Sequence, residues 1–356
     1  MWRSRPRLCP EGIPVTMRAF LERIAIEIRR AVRPWVLSLR GRGIVGTGSA
    51  GDATFEVDRV AEQRLEKSLR QSGRSLLYYS EDRGLVTIGS GKPRAVLIVD
   101  PIDGTRNARA GFEACMVSIA AIVAPQRSRG DPERSRRAAP GRSPDDPGRN
   151  RPAAPLPRPI DDLTLGDVTH ACLAEIVGRR VFYAQKGRGA TWREGSRAFR
   201  PRLSSATDLD HIAWSLGIVG RPAKPLMDAM GELVDRTSMT GGFFSCNSIS
   251  YSLTRLVTGQ LDAALDIANR IYRDRPETRP AFTAAGRGAI MGLCPYDIAA
   301  AVLVAKEAGC IVTDAYGQPL DSTPAFAHGP ESLRSCIAAP NATLHSLLLD
   351  YVNSHL

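Results

Sequence analysis

The run Ala95-Val96-Leu97-Ile98-Val99 leads straight into Asp100-Pro101-Ile102-Asp103-Gly104-Thr105, and this junction constrains the chain more than any other feature of its sequence. Five apolar residues in unbroken succession fit a strand covered on both faces. Such a strand ends inside the protein, so it delivers Asp100 and Asp103 to a place where water is scarce. Burying an unpaired carboxylate is costly, and two of them within four residues also repel each other. A bound divalent cation relieves both problems. Pro101 stiffens the bend, and Gly104 lets the backbone approach a ligand closely. With a helix starting near Thr105, the amides of Gly104 and Thr105 would point at an anion. The same D-x-x-D-G spacing can also serve as a plain Asx-turn.

Further acids bear on that choice. Glu81-Asp82 follows the apolar run Leu76–Tyr79 and precedes Gly84, again placing carboxylates at a strand end. Asp297 opens the apolar helix Asp297-Ile298-Ala299-Ala300-Ala301, where a simple capping role is the alternative. Asp58 closes Thr54-Phe55-Glu56-Val57-Asp58, where a solvated acid at a helix start would be unremarkable.

The periodicity predicts helices from Thr16 to about Leu39, from Glu56 to Arg70, over Ser248–Thr258, over Tyr296–Ala308 and over Ala342–Asn353. Strands are expected at Ala95–Val99, Cys115–Ala124, Asp167–Val177, Arg180–Gln185, Ala190–Trp192, Leu261–Ile267 and Cys310–Thr313. Helices and strands alternate without βαβ regularity, so the class is layered α+β with mixed sheets. Two subdomains are expected, 16–205 with most of the acids and 206–356 with Asp297.

The net charge of +11 resides in residues 1–40, with nine Arg against three Glu, and in 126–160, with nine Arg against four acids. The latter tract is rich in Arg and Pro and poor in large apolar residues, so it reads as a disordered insertion. Residues 270–290 read as a second, shorter insertion in loop form. Basicity confined to a terminus and a tract argues only weakly for nucleic acid. Seven scattered cysteines without C-x-x-C spacing fit reduced thiols. No apolar run approaches the roughly 18 residues of a membrane span. A soluble cytoplasmic protein is the reading, with no membrane partner.

Taken together, the segments resemble the inositol monophosphatase superfamily, including its archaeal members that also act on fructose 1,6-bisphosphate. The resemblance rests first on Asp100 through Asn107, similar to that family's D-P-x-D-G-T-x-N. It rests also on Tyr296–Ala301 through Lys306–Gly309, on Gly46–Asp58 and on Tyr183–Ala190. It implies an α/β/α/β/α sandwich of the sugar-phosphatase type and a magnesium-dependent phosphomonoesterase with two or three Mg2+ ions, often a homodimer. Glu81 would bind the first metal and orient the attacking water. Asp100 would bridge two metals, and the Ile102 carbonyl would complete the first site. Asp103 and Asp297 would hold the second, and Asp58 a weaker third. Thr105 would polarise the water, and the amides of Gly104 and Thr105 would take phosphate oxygens.

Departures from the pattern fall on the substrate side. Cys246-Asn247-Ser248-Ile249 stands where the family has a G-S-A or G-T-A turn, so Asn247 and Ile249 would reshape the pocket around Ser248. Asp266 falls where the family places an acid that binds substrate hydroxyls. Asp82 replaces a second glutamate, Tyr296 a tryptophan, and Ala301 and Cys310 replace glycines. The expected substrate is a small-molecule phosphate ester, inositol monophosphate first and fructose 1,6-bisphosphate as the alternative. An RNA- or transcription-associated binding protein using the basic tract is the reading from another class.

Overall fold

The computed structural model describes residues 16–40, 42–47, 53–123, 156–326 and 329–356. Helix α1 (Met17–Leu37) begins at Thr16, whose hydroxyl oxygen accepts the Ala19 amide at 3.2 Å. Its stripe Phe20, Ile24, Ile28, Val32 and Val36 is buried, as is Val57, Ala61, Leu65 and Leu69 on α2 (Glu56–Gln71). Both stripes repeat at helical spacing, so the two helices offer one apolar face each to the same sheet.

That sheet has eight strands: β3 (Leu76–Ser80), β4 (Gly84–Ile88), β5 (Ala95–Asp103), β6 (Met116–Val123), β7 (His170–Glu175), β8 (Arg180–Gln185), β9 (Gly189–Glu194) and β10 (Arg197–Phe199). They run in the order β10-β9-β8-β7-β6-β5-β3-β4, antiparallel throughout except for the parallel pair β3–β5. A separate hairpin joins β1 (Ile44–Thr47) and β2 (Ala53–Phe55) just before α2. Along β5 the side chains alternate: Ala95, Leu97 and Val99 join the core under α1 and α2, while Val96 and Ile98 join the core on the opposite face.

The opposite face is covered by α5 (Ile249–Val257) and α8 (Pro295–Ala308), which pack there together with one side of a second sheet. This five-stranded sheet holds β11 (Ala213–Leu216), β12 (Gly242–Phe244), β13 (Ala263–Asp266), β14 (Ile311–Thr313) and β15 (Cys336–Ala339), in the order β12-β11-β13-β15-β14. Its far side is closed by α4 (Ala223–Thr237) and α9 (Ala342–His355). The result is an α/β/α/β/α sandwich. Among the described residues no helix is long and apolar enough to cross a membrane.

Two expectations need correction. Residues 270–290 are not an insertion in loop form: α6 (Ala268–Asp274) and α7 (Arg279–Ala285) occupy most of them. Arg270 is 9% exposed and donates to the Ala315 carbonyl and Asn353 Oδ1, and Phe282 is buried edge-on to Tyr272. The guanidinium that suggested a solvated loop is satisfied inside the fold. The tract 126–160 lies mostly outside the described residues, but its last part does not. Leu156 and Ile160 pack against the central core, and Ile160 begins a short 3-10 turn.

Candidate active site

The acids of β5 stand where that strand leaves regular pairing with β6, at a register shift between Asp100 and Asp103. Asp100 Oδ1 accepts the Ile102 amide at 2.9 Å, folding the backbone back on the carboxylate. Gly104 follows with φ +90°, and a Cβ there would lie 2.5 Å from the Ala114 carbonyl oxygen and 3.0 Å from Ser248 Cβ. Only glycine fits both the dihedral and the space. Thr105 then opens the short helix α3 (Thr105–Ala110). Its hydroxyl lies 3.0 Å from the Ile102 carbonyl oxygen and 3.1 Å from Asp58 Oδ1, either of which can accept its proton. Asp58 caps α2 with its other oxygen, which accepts the Phe55 amide at 2.9 Å.

The helices between the sheets meet these groups. Ser248 caps α5, accepting the Tyr251 amide while its hydroxyl donates to Asp103 Oδ2 at 2.8 Å. The Ser250 amide donates to the same oxygen at 2.6 Å. Asn107 fastens the approach to this turn by donating to the carbonyls of Cys246 and Ala114, at 2.6 and 2.7 Å. Asp297 sits in the first turn of α8, where its Oδ2 accepts the Cys294 amide at 2.6 Å.

Three carboxylates therefore converge from β5 and α8. One oxygen each of Asp100, Asp103 and Asp297 lies within 4.8 Å of the other two. Burial pushes the Asp100 carboxyl well above its ordinary range, and the charges of Glu81, Asp103 and Asp297 push it further. Burial does the same to Asp297, with Asp103 adding to it. Asp103 is also raised by burial, against the pull of its bonds to Ser250 and Ser248. Crowded hard oxygen donors suit a hard divalent cation, whose charge takes the place of the protons that burial and repulsion favour. Tyr296 beside Asp297 rests on Tyr79, ring centroids 5.8 Å apart, so the aromatic position is filled and packed.

Of the twelve residues singled out in the sequence, eleven line one cavity of roughly 120 Å3. Asp58 is the exception: it reaches the site through the Thr105 hydroxyl. The substrate-side residues divide between the cavity and internal bonds. Asn247 and Ile249 line the cavity, whereas the Ser248 hydroxyl is spent on Asp103. Asp266 is 1% exposed, and its Oδ2 lies 2.5 Å from Arg221 Nη2. Arg221 and Ser250 are participants that the sequence reading missed. Arg221 follows Gly217-Ile218-Val219-Gly220, a segment with no periodicity or motif to mark it.

Residues 163–356 match the inositol monophosphatase family. Over 300 residues the chain is 26% identical to the bifunctional NADP phosphatase/NAD kinase of Methanococcus maripaludis, covering 84% of this chain and 43% of that protein. It is 25% identical to the fructose-1,6-bisphosphatase/inositol-1-monophosphatase of Methanothermobacter thermautotrophicus, covering 92% and 93% of the two. The chain thus spans less than half the length of the first relative and nearly all of the second. Among solved structures, the extragenic suppressor protein suhB of Bartonella henselae superposes with a TM-score of 0.61 at 18% identity, over 95% of this chain and 99% of that one, which shows the shared fold. Both of these sequence relatives carry the name of a phosphatase. The chain belongs to the inositol monophosphatase family.

Proposed function

We propose that the protein is a magnesium-dependent phosphomonoesterase acting on a small polyol or sugar phosphate. The carrying observation is the convergence of Asp100, Asp103 and Asp297 to within 4.8 Å, held in place by amides and a hydroxyl. A purely structural or binding role gives no reason to bury three mutually repelling carboxylates.

Glu81, Asp100 and the Ile102 carbonyl would hold one cation, Asp103 and Asp297 a second, with Asp58 assisting a third. Bound magnesium supplies a lowered pKa for the attacking water and neutralises charge on the departing oxygen. The chain's own groups do the rest. The Thr105 hydroxyl donates its hydrogen bond to Asp58, which leaves its oxygen free to accept one from the water and so orient it. The amides of Gly104 and Thr105 face the phosphate oxygens, and Ser248 and Ser250 fix Asp103 so that it does not turn away. No residue here needs to become phosphorylated. Inositol monophosphate is the first candidate substrate and fructose 1,6-bisphosphate the second. The name of the Methanococcus relative adds the phosphate of NADP.

The test is magnesium-dependent phosphate release from inositol 1-phosphate, fructose 1,6-bisphosphate, NADP+ and p-nitrophenyl phosphate. Turnover should vanish with EDTA. Asp297→Asn should lower kcat by more than the roughly 100-fold that loss of an outer partner of a metal site can cost. Full activity of that variant would refute the reading.

A further inference from the structure

Arg221 lies in the turn between β11 and α4 and lines the same cavity as the carboxylates. Its side chain is 9% exposed. Nη2 donates to Asp266 Oδ2 at 2.5 Å and Nη1 to the Val219 carbonyl at 2.6 Å, while the buried Nε has no acceptor among the described residues. A buried donor without a partner is unfavourable, and native proteins keep few of them.

The surrounding backbone is shaped to hold this guanidinium. A Cβ on Gly217 would meet Asp266 Oδ2 at 2.6 Å, so the turn can close over the carboxylate only with glycine there. Gly220 has φ +72°, and a Cβ on it would lie 2.8 Å from Met291 Cγ. Asp266 is engaged from both ends, since its Oδ1 accepts the Ala268 amide at 3.2 Å. The acid expected to greet substrate hydroxyls is therefore occupied in gripping an arginine. A guanidinium has five N–H donors and no acceptor, and its fork matches phosphate and carboxylate oxygens. A hydroxyl needs somewhere to donate as well as something to accept. The Arg221 guanidinium itself offers only donors.

We infer that Arg221, positioned by Asp266, sets the specificity of this cavity by binding a second anionic group, a phosphate or carboxylate, on the non-reacting part of the ester. The inference rests on the phosphatase reading of the site. It reverses the order of preference reached from the sequence, favouring a doubly anionic ester over a plain polyol monophosphate. The reacting phosphate has its own place beside the carboxylate cluster, with the Gly104 and Thr105 amides. Arg221 stands in the turn that follows β11, where its charge is still felt by Asp103 and Asp297.

The experiment compares kcat/KM for fructose 1,6-bisphosphate, inositol 1-phosphate and p-nitrophenyl phosphate in the wild type, Arg221→Met, Arg221→Lys and Asp266→Asn, all with magnesium. The wild type should prefer the bisphosphate. Arg221→Met should reduce that preference roughly 10- to 100-fold, chiefly through KM, as expected for loss of a charged hydrogen bond. Arg221→Lys should restore part of the preference, and Asp266→Asn should shift it in the same direction as Arg221→Met by a smaller factor. Equal losses on all three esters would overturn the inference, because Arg221 would then serve the reacting phosphate or the fold. An unchanged preference would overturn it too. Should the wild type release phosphate from none of them, the phosphatase reading fails by itself. Calorimetric titration of the unhydrolysed bisphosphate and inositol 1-phosphate then decides: tighter bisphosphate binding that Arg221→Met abolishes supports the inference, and indifference to the substitution overturns it.

Discussion

At Asn247 the backbone has φ +50°, in the left-handed region that asparagine enters more readily than most side chains. A glycine would adopt this conformation without strain, so the bulk that Asn247 brings to the turn is that of its side chain. Glu62 shows a different adjustment. It lies one helical turn beyond Asp58, is 2% exposed, and neither of its oxygens has a well-formed hydrogen bond among the described residues. Burial pushes its carboxyl up to about 7, with the Asp82 charge adding to the rise and the nearby Ser80 hydroxyl offsetting part of it. From its ordinary value of 4.5 up to about 7, the folded protein keeps a proton that the unfolded chain has lost. Stability from this group therefore falls as pH rises through that window and is level above it. Glu62→Gln keeps the shape and removes the charge. It should stabilise the protein at pH 8, by up to about 3 kcal/mol, and change it little at pH 5. Thermal melts at the two pH values measure this, and a shift independent of pH would show that the carboxyl is not buried as an acid.

The elements that carry the site were legible because their patterns are strong. The unbroken run into Asp100 became β5, and the apolar stretch behind Asp297 became α8. Helix α5 lies where the sequence placed it, with Ser248 as its cap, and α1 and α2 keep their expected starts. Residues between Arg193 and Cys246 were left unassigned, yet they hold β10, β11, α4 and β12. Three of those strands are only three or four residues long, too short to display a period. Arg221 was missed with them, since its meaning comes from Asp266, 45 residues away in sequence. The segment α6–α7 was misread because Arg270, Arg273, Arg275 and Arg279 mask two apolar anchors, Ile271 and Phe282. If α7 is an integral part of the second core, Phe282→Ala should cost about 3–5 kcal/mol in denaturant unfolding, with an unchanged m-value. A loss below about 1 kcal/mol would return the segment to the status of a loop.

The cluster is assembled by the whole sandwich. Asp100 and Asp103 end a strand of the large sheet, Asp297 comes from a helix lying between the sheets, and the α5 turn that fixes Asp103 lies between them too. The cavity is completed from the small sheet by the residues after β11 and at the end of β13. A cation that gathers these carboxylates binds only the assembled molecule, so its binding free energy adds to global stability. At a concentration 100 times its dissociation constant the gain is about 2.7 kcal/mol. Without it, the same carboxylates oppose folding by repulsion and by burial. Asp103→Asn should therefore act with opposite signs in the two conditions. In EDTA the variant should melt above the wild type, because one of three crowded charges is gone while an amide oxygen can still accept from Ser248 and the Ser250 amide. With magnesium the wild type should gain several degrees and the variant most of that less, so that their order reverses. Scanning calorimetry of both proteins with and without magnesium reads the crossing directly. A variant that melts below the wild type in EDTA and still gains the full magnesium shift would mean that the cation sits elsewhere.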